Sequence, residues 1–296
     1  MGVSGGADSM ALAHRLRVQF PDKTIRALTV DHALRTESEA EAISVTSYLK
    51  DIADYHDILT WYGDKPTQGI QNAARKARYD LFACALKDHG INHICLAHHS
   101  DDQAETFLHR LAKGSGLDGL SSMKPLTTRQ NLIIVRPLLD QSHSNLTQYC
   151  RDNDISWIED PSNQNENFAR VRFRKSRNFL ESEGLSNTRI TRLCTRIDRA
   201  REALNHYTGV AFDDHVSIDE RGARIDKAAL DLPDDIFLRL VLKTATIINP
   251  NETLSSRLER LETMLLQNRE TKFTLSGLIF TRHEDGDITL SLEILD

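Results

Sequence analysis

Three groups of residues carry side chains able to do chemistry. The first is Ser4-Gly5-Gly6-Ala7-Asp8-Ser9, which places two glycines, two hydroxyls and a carboxylate within six residues. Paired glycines let backbone N–H groups converge with no Cβ in the way. The amphipathic run Met10-Ala-Leu-Ala-His-Arg-Leu16 follows, so the loop should feed a helix N-terminus, with its unpaired donors and positive dipole end. Such a concavity suits a phosphate. No Gly-x-x-x-x-Gly-Lys-Ser/Thr string is present, so it is not a Walker loop. The plainer reading is a Gly-Gly turn with Asp8 or Ser9 capping a helix. The second group is Asp102 and Glu105, three apart and therefore on one face of a helix. They could bind an ammonium group, hold Mg²⁺ or act as a base. Acidic residues in a first turn also simply stabilise a helix, by about 0.3–1 kcal/mol each. The third group is His98-His99; neighbouring strand residues point to opposite faces, so a joint metal site is not expected.

The elements that must position these groups follow from periodicity. A helix is expected over about Asp8–Gln19, stopped before Pro21. Thr24–Val30, His56–Tyr62 and His93–Ala97 read as strands with buried faces. Between them, Thr36-x-x-Glu39 is a capping box for a helix running to about Asp54, and Ile70–His89 reads as a long helix. Ser100 and Gln103 form a further capping pair, with helix from about Asp101. Strand and helix alternating at this spacing predict an α/β fold with a doubly wound, mostly parallel sheet. In such sheets ligands sit at the carboxyl ends of the strands. Ser4–Ser9, Asp31-His32 and His98-His99 all fall there. One feature strains the pattern. Only Met1-Gly-Val3 precedes the loop, where a strand of five or six residues is usual; either that strand is short, or the chain starts inside it.

Composition narrows the classes. The chain has 296 residues, 40% hydrophobic and 27% charged, enough for one large core or two smaller ones. No apolar run approaches a membrane span, and the N-terminus lacks a basic leader, so a cytoplasmic protein is expected. Four separated cysteines without Cys-x-x-Cys argue for a reducing compartment and against a zinc ribbon or an iron–sulfur site. A net charge of −6 means that any RNA contact must come from a local patch. Such a patch exists. Residues 169–201 hold ten basic and three acidic residues, beginning with Arg170, Arg172 and Arg174 and continuing through Arg189, Arg192, Arg196, Arg199 and Arg201. Clustered arginines in an acidic chain suggest a phosphate backbone as partner; the alternative is a solvated helix face beside an acidic domain.

The six-residue loop resembles that of the PP-loop, or N-type ATP pyrophosphatase, superfamily. The run Ala97-His-His-x-Asp-Asp-Gln-Ala-Glu-Thr106, then Gly114-Ser-Gly-Leu-x-Gly-Leu120 and Met123, is similar to the tRNA(Ile)-lysidine synthetase family in particular. Val30-Asp-His-x-Leu-Arg35 resembles the family's second motif, with Ala33 where a glycine is usual. Ala74-Arg75-x-x-Arg78-Tyr79, Arg136-Pro-Leu138 and Asp160-Pro-Ser-Asn163 with Asn167-Phe168 also fit, although Val171 stands where an asparagine is common. The resemblance is close over about residues 2–175. It implies an ATP-dependent carbon–nitrogen ligase: ATP with Mg²⁺ on Ser4, Gly5, Gly6, Ala7, Asp8 and Ser9, L-lysine on Asp102 and Glu105, and Asp8, Asp102 and Glu105 as catalytic residues. The partner implied is tRNA(Ile) with a CAU anticodon, gripped by Arg170, Arg172 and Arg174. The ligands of the Mg²⁺ and the general base stay open, as does the oligomeric state, a homodimer being one alternative.

The polar stretch 159–167 reads as a loop, giving a PP-loop domain over 1–175 and a smaller, mainly helical, tRNA-binding domain over 176–296. Helices are expected over Thr188–Tyr207, Asp234–Ile248 and Leu254–Gln267, and a terminal β-hairpin from Thr271–Leu275 and Asp287–Leu292. Two other functions compete. A tRNA cytidine thiolase would need cysteines to carry sulfur or hold a cluster. A non-catalytic RNA- or nucleotide-binding module is favoured only by the short first strand.

Overall fold

Met1–Val3 is the strand that the loop needs. In the computed structural model, which describes residues 1–129, 131–159, 176–251, 258–267 and 270–293, Gly2 bridges in parallel to Leu28 and its N–H donates to the Cys95 carbonyl at 2.9 Å. Val3 N–H donates to the Leu28 carbonyl, and Leu28 N–H to that of Met1, both at 2.9 Å. Three residues therefore sit between strands β1 (Arg26–Asp31) and β3 (His93–Cys95). They join the parallel pair β1–β2 (β2, Tyr55–Thr60) to the sheet β3–β5–β4, where β5 is Leu132–Val135 and β4 is Leu126–Arg129. β3 and β5 are parallel and β4 is an antiparallel edge strand. The glycine is required by packing. A Cβ on Gly2 would lie 2.7 Å from Leu96 Cδ2 and 3.0 Å from Phe82 Cζ.

The sheet is covered on both faces, as alternation predicts. Val3 and Ala27 face α1 (Ala7–Gln19), α2 (Ser38–Tyr48) and α6 (His143–Asp152), packing with Met10, Leu12, Val45, Leu146 and Cys150. Leu28, Ile94, Leu132 and Ile134 face α3 (Ile70–Lys87) through Tyr79, Phe82 and Leu86. Each fully buried aliphatic or aromatic side chain contributes about 1.5–3 kcal/mol. Helix α4 (Ser100–Leu111), followed by the short α5 (Leu117–Leu120), packs Ala104 and Phe107 with Ile190 and Cys194, which ties the start of helix Asn187–His215 to this half. For that reason the first compact unit runs to Ile197, beyond the expected boundary at 175/176, and the second is Asp198–Asp296.

Two local expectations give way. No side chain caps α2, whose N-cap is Glu37, so the Thr36–Glu39 box does not form. Helix α4 starts one residue early: its N-cap is His99, and the His99 N–H donates to Asp102 Oδ2 at 3.1 Å.

The second unit is richer in strand than a terminal hairpin. Val216–Asp219 (β6), Gly222–Ile225 (β7), Lys272–Leu275 (β8), Leu278–Arg282 (β9) and Ile288–Leu292 (β10) form one antiparallel sheet in the order β6-β7-β10-β9-β8. The two expected strands do not pair with each other, because β9 lies between them. Leu240, Val241 and Ala245 of helix Asp234–Ile248 complete its core with Ile225, Phe273, Phe280 and Leu290. Arg201, at the end of the expected basic run, pairs with Asp198 at 2.6 Å. Arg170, Arg172 and Arg174 lie outside the described residues.

Candidate active site

Gly5 allows the loop its turn. It adopts φ +85°, and a Cβ there would meet Val45 Cγ2 at 2.8 Å. Its carbonyl accepts from Ile158 N–H at 2.9 Å. Ser9 Oγ donates to the Gly6 carbonyl at 2.9 Å, while the backbone N–H and hydroxyl of Ser4 point to that same Ser9 oxygen at 3.2 and 3.3 Å. The serines thus brace the loop. Helix α1 begins at Ala7 with no side chain capping it, so neither Asp8 nor Ser9 is spent as a cap. The first-turn amides remain donors that an anion can accept from.

Asp8 is the junction of the site. One carboxylate oxygen lies 2.8 Å from His143 Nδ1, the other 3.4 Å from His99 Nε2. His99 Nε2 is in turn 3.5 Å from Asp102 Oδ2, and His99 Nδ1 is 3.5 Å from Asp101 Oδ2. The same Asp101 oxygen accepts from the His143 backbone N–H at 2.9 Å. Three helix N-termini, those of α1, α4 and α6, are therefore drawn together by side chains from the carboxyl edge of the sheet. Burial opposes the charge on Asp8, but hydrogen bonds from His143 and His99 outweigh it and hold the carboxyl at about 2. Burial likewise opposes the charge on His99, and Asp101, Asp8 and Asp102 outweigh it, raising the imidazole to about 10. The centre is a carboxylate held between ring nitrogens.

Glu105 lies one turn further along α4 and is 4% exposed, whereas Asp102 is half-buried. Of the expected trio, Asp8 and Asp102 are joined through His99, and Glu105 is buried. His98 and His99 do not share a metal-type cluster. The group of ligand-type atoms among the described residues is Asp8, His99 and His143, within 4.8 Å of one another. Asp101 and His143 were not singled out from the sequence. No local pattern marks His143; the rule that loops after parallel strands crowd one edge points to the segment after β5.

On the same edge, Asp31 is buried and its Oδ1 accepts from Ala33 N–H at 2.8 Å. Ala33 has φ +50°, the left-handed conformation that a glycine adopts freely. A cleft of about 280 Å³ opens there between Asp31, Ala33, Arg35, Thr60 and Tyr62. Beside it, His32 Nε2 lies 3.3 Å from an Arg78 guanidinium nitrogen. Burial, then the charge of Arg78, push His32 down to about 4. A larger cavity, about 400 Å³ between Met1, Ile25, Ile91 and His93, lies at the amino ends of the strands and away from the loop.

Residues 1–178 match the family described as the PP-loop domain. Over 291 residues the chain is 37% identical to tRNA(Ile)-lysidine synthase of Wolbachia sp. subsp. Brugia malayi, covering 94% of this chain and 66% of that one. The enzyme of the same name from Ruegeria pomeroyi is 34% identical over 282 residues, with 94% and 67% covered. That from Methylobacterium nodulans is 36% identical over 271 residues, with 90% and 79% covered. The chain thus spans 66% of the length of the Wolbachia relative. Among solved structures, the U34-tRNA thiolase NcsA from Methanococcus maripaludis with its 4Fe-4S cluster superposes with a TM-score of 0.58 at 16% identity, over 67% of this chain and 71% of that one. That likeness establishes the fold. With its domain match over residues 1–178 and a relative 36% identical across 90% of this chain and 79% of that relative, the chain belongs to the PP-loop family and, within it, to the tRNA(Ile)-lysidine synthase family.

Proposed function

We propose that this chain is a cytoplasmic ligase that uses ATP to adenylate carbon 2 of the wobble cytidine of tRNA(Ile) bearing a CAU anticodon. The ε-amino group of L-lysine then displaces AMP. The observation that carries this reading is the Asp8–His99–Asp102 link, 3.4 and 3.5 Å, which sets an uncapped phosphate loop beside the acidic start of α4. Relatives that carry the name of this reaction match 90% or more of the chain.

Adenylation turns a carbonyl oxygen into a leaving group. Its developing phosphate charge needs donors already in place, and the amides from Gly5 to Ser9 are such donors. Mg²⁺ takes oxygen ligands and is usually held by one or two carboxylates plus phosphate oxygens. Asp8 fits that role, and when bound the ion offsets phosphate charge. The cleft beside Asp31 is open to the nucleoside. Free lysine carries a pKa of about 10.4 and must lose a proton before it attacks. Asp102 and Glu105 offer carboxylates to bind the ammonium, and one of them takes up the proton. The target base leaves its stack, which an anticodon loop makes easy. Arg170, Arg172 and Arg174 contact the tRNA backbone in this reading.

Against a thiolase stands the sequence itself, which has no Cys-x-x-Cys pair to carry sulfur or hold a cluster. The short first strand is hydrogen-bonded on both sides, so the loop is anchored as an enzyme needs. The test is to incubate the chain with unmodified isoleucine tRNA, ATP and labelled lysine and to digest the tRNA to nucleosides. Label in a modified cytidine is expected; unlabelled tRNA beside consumed ATP would refute the assignment.

A further inference from the structure

Away from the loop, arginines gather around one buried tyrosine. Tyr79 on α3 is 2% exposed. The Arg129 guanidinium carbon lies 4.7 Å from its ring centroid and that of Arg75 lies 5.3 Å from it. Arg136 is close enough to Tyr79 and Arg75 for both to bear on its charge. A fourth guanidinium, Arg110 in the last turn of α4, feels the charge of Arg75. Like charges do not assemble without compensation. Among the described residues no carboxylate pairs with Arg75, Arg110, Arg129 or Arg136. Burial, then the neighbouring Arg75, disfavours the charged form of Arg110, and both also act against that of Arg136.

The four are not equivalent. Arg136 is 6% exposed and its guanidinium donates to the Lys124 carbonyl at 2.8 Å and to Thr127 Oγ1 at 2.9 Å, so it pins the start of β4. Arg110 donates to the Gly119 carbonyl. Arg75 and Arg129 are half-buried, and among the described residues the aromatic ring is what holds their heads. An arginine stacked on a ring keeps its fork of N–H donors for a bidentate acceptor. The two guanidinium carbons, 5.3 and 4.7 Å from one ring centroid, present two forks side by side, which successive phosphates of one strand can meet in turn. The carboxyl end of β5, where Arg136 stands, is also the edge that carries Asp8 and His99.

We propose that Arg75 and Arg129, held on the Tyr79 ring and backed by Arg110 and Arg136, form a binding track for the backbone phosphates of an RNA strand, leading to the reactive edge. This rests on the proposed function for the identity of the strand as tRNA. It adds a contact surface on the first unit, built from residues other than those of the basic run 170–174.

The experiment measures binding of fluorescently labelled tRNA(Ile) transcript to the full chain across a salt series. The double variant Arg75→Gln/Arg129→Gln should make the slope of log affinity against log salt shallower by about 1.4–1.8, two phosphate contacts at 0.7–0.9 each. Its melting temperature and its KM for ATP should stay at the wild-type values. Arg75→Lys/Arg129→Lys should restore the slope but not the full affinity, because an ammonium lacks the fork. Should the glutamine pair fail to fold, the single variants are read instead, each expected to lower the slope by about 0.7–0.9. A wild-type slope in folded variants overturns the track. So does a raised KM for ATP with an unchanged slope, which would assign the cluster to the nucleotide. A wild-type chain that binds no tRNA overturns the functional reading itself.

Discussion

Asp8 and His143 are 135 residues apart in the chain, and Asp8 Oδ1 lies 2.8 Å from His143 Nδ1. That contact fixes the Asp8 side chain over the phosphate loop without using it as a helix cap. With Ser4→Ala and Asp8→Ala combined, tRNA-dependent release of pyrophosphate from ATP should fall by about a hundredfold or more, the scale seen when a donor aimed at developing charge is removed. A coupled pyrophosphate assay checks it. Undiminished release would contradict the phosphate-loop reading.

Asp102 has a structural contact and a proposed ammonium-binding role, and the choice of substitution separates them. Its carboxylate caps α4 through the His99 N–H. Asp102→Ala should therefore lower stability by about 0.5–2 kcal/mol. Asp102→Asn keeps an acceptor oxygen for the cap and removes only the charge. We expect Asp102→Asn and Glu105→Gln to bind ATP as the wild type does, to melt close to it, and to lose lysine transfer. Full turnover in both variants would remove the ammonium-binding role.

Ala33 at φ +50° is the left-handed residue that follows the buried Asp31. An L-residue with a side chain pays about 1–2 kcal/mol there, less the extra flexibility that a glycine brings to the unfolded chain, about 0.4–1 kcal/mol. Ala33→Gly should raise stability by up to about 1 kcal/mol, read as a higher urea midpoint at unchanged slope. A lower midpoint would mean that the strain is relieved elsewhere.

His32 gives a pH signature. Folded, it stays neutral to about pH 4; unfolded, it takes a proton near its ordinary value of about 6.5. Between those values the unfolded chain binds more protons, so stability falls as pH drops from 6.5 toward 4. His32→Gln should flatten that part of the curve. Urea midpoints at pH 7.5 and 5.0 for both proteins measure it, and equal slopes would show that His32 is not held neutral.

Much of the first unit was legible in the sequence because its cues are local. Gly-Gly turns, alternating apolar runs and helix stops set α1, α3 and the strands within a few residues of where they lie. Met1–Val3 looked too short for a strand, yet it bridges to Leu28 and bonds to Cys95, so neighbouring strands supply hydrogen bonds that its own length does not. The caps were less legible. Thr36 offered a capping pattern that tertiary contacts did not use, and His99, a weaker capping type, took the place of Ser100. The sheet of the second unit was underestimated because β6 and β7 are four residues each, too short for alternation to register. In the site, Asp8 and Asp102 stood out by type and spacing. His143 did not, since its partner lies across the sheet edge and no periodicity connects the two.

The most direct measurement uses ATP labelled in its α-phosphate, mixed with the chain and unmodified tRNA(Ile) in the absence of lysine. Label should travel with the tRNA as an adenylate, and adding lysine should release it as AMP. Pyrophosphate release that does not need tRNA, with no label on the RNA, would contradict adenylation at the Ser4–Ser9 loop.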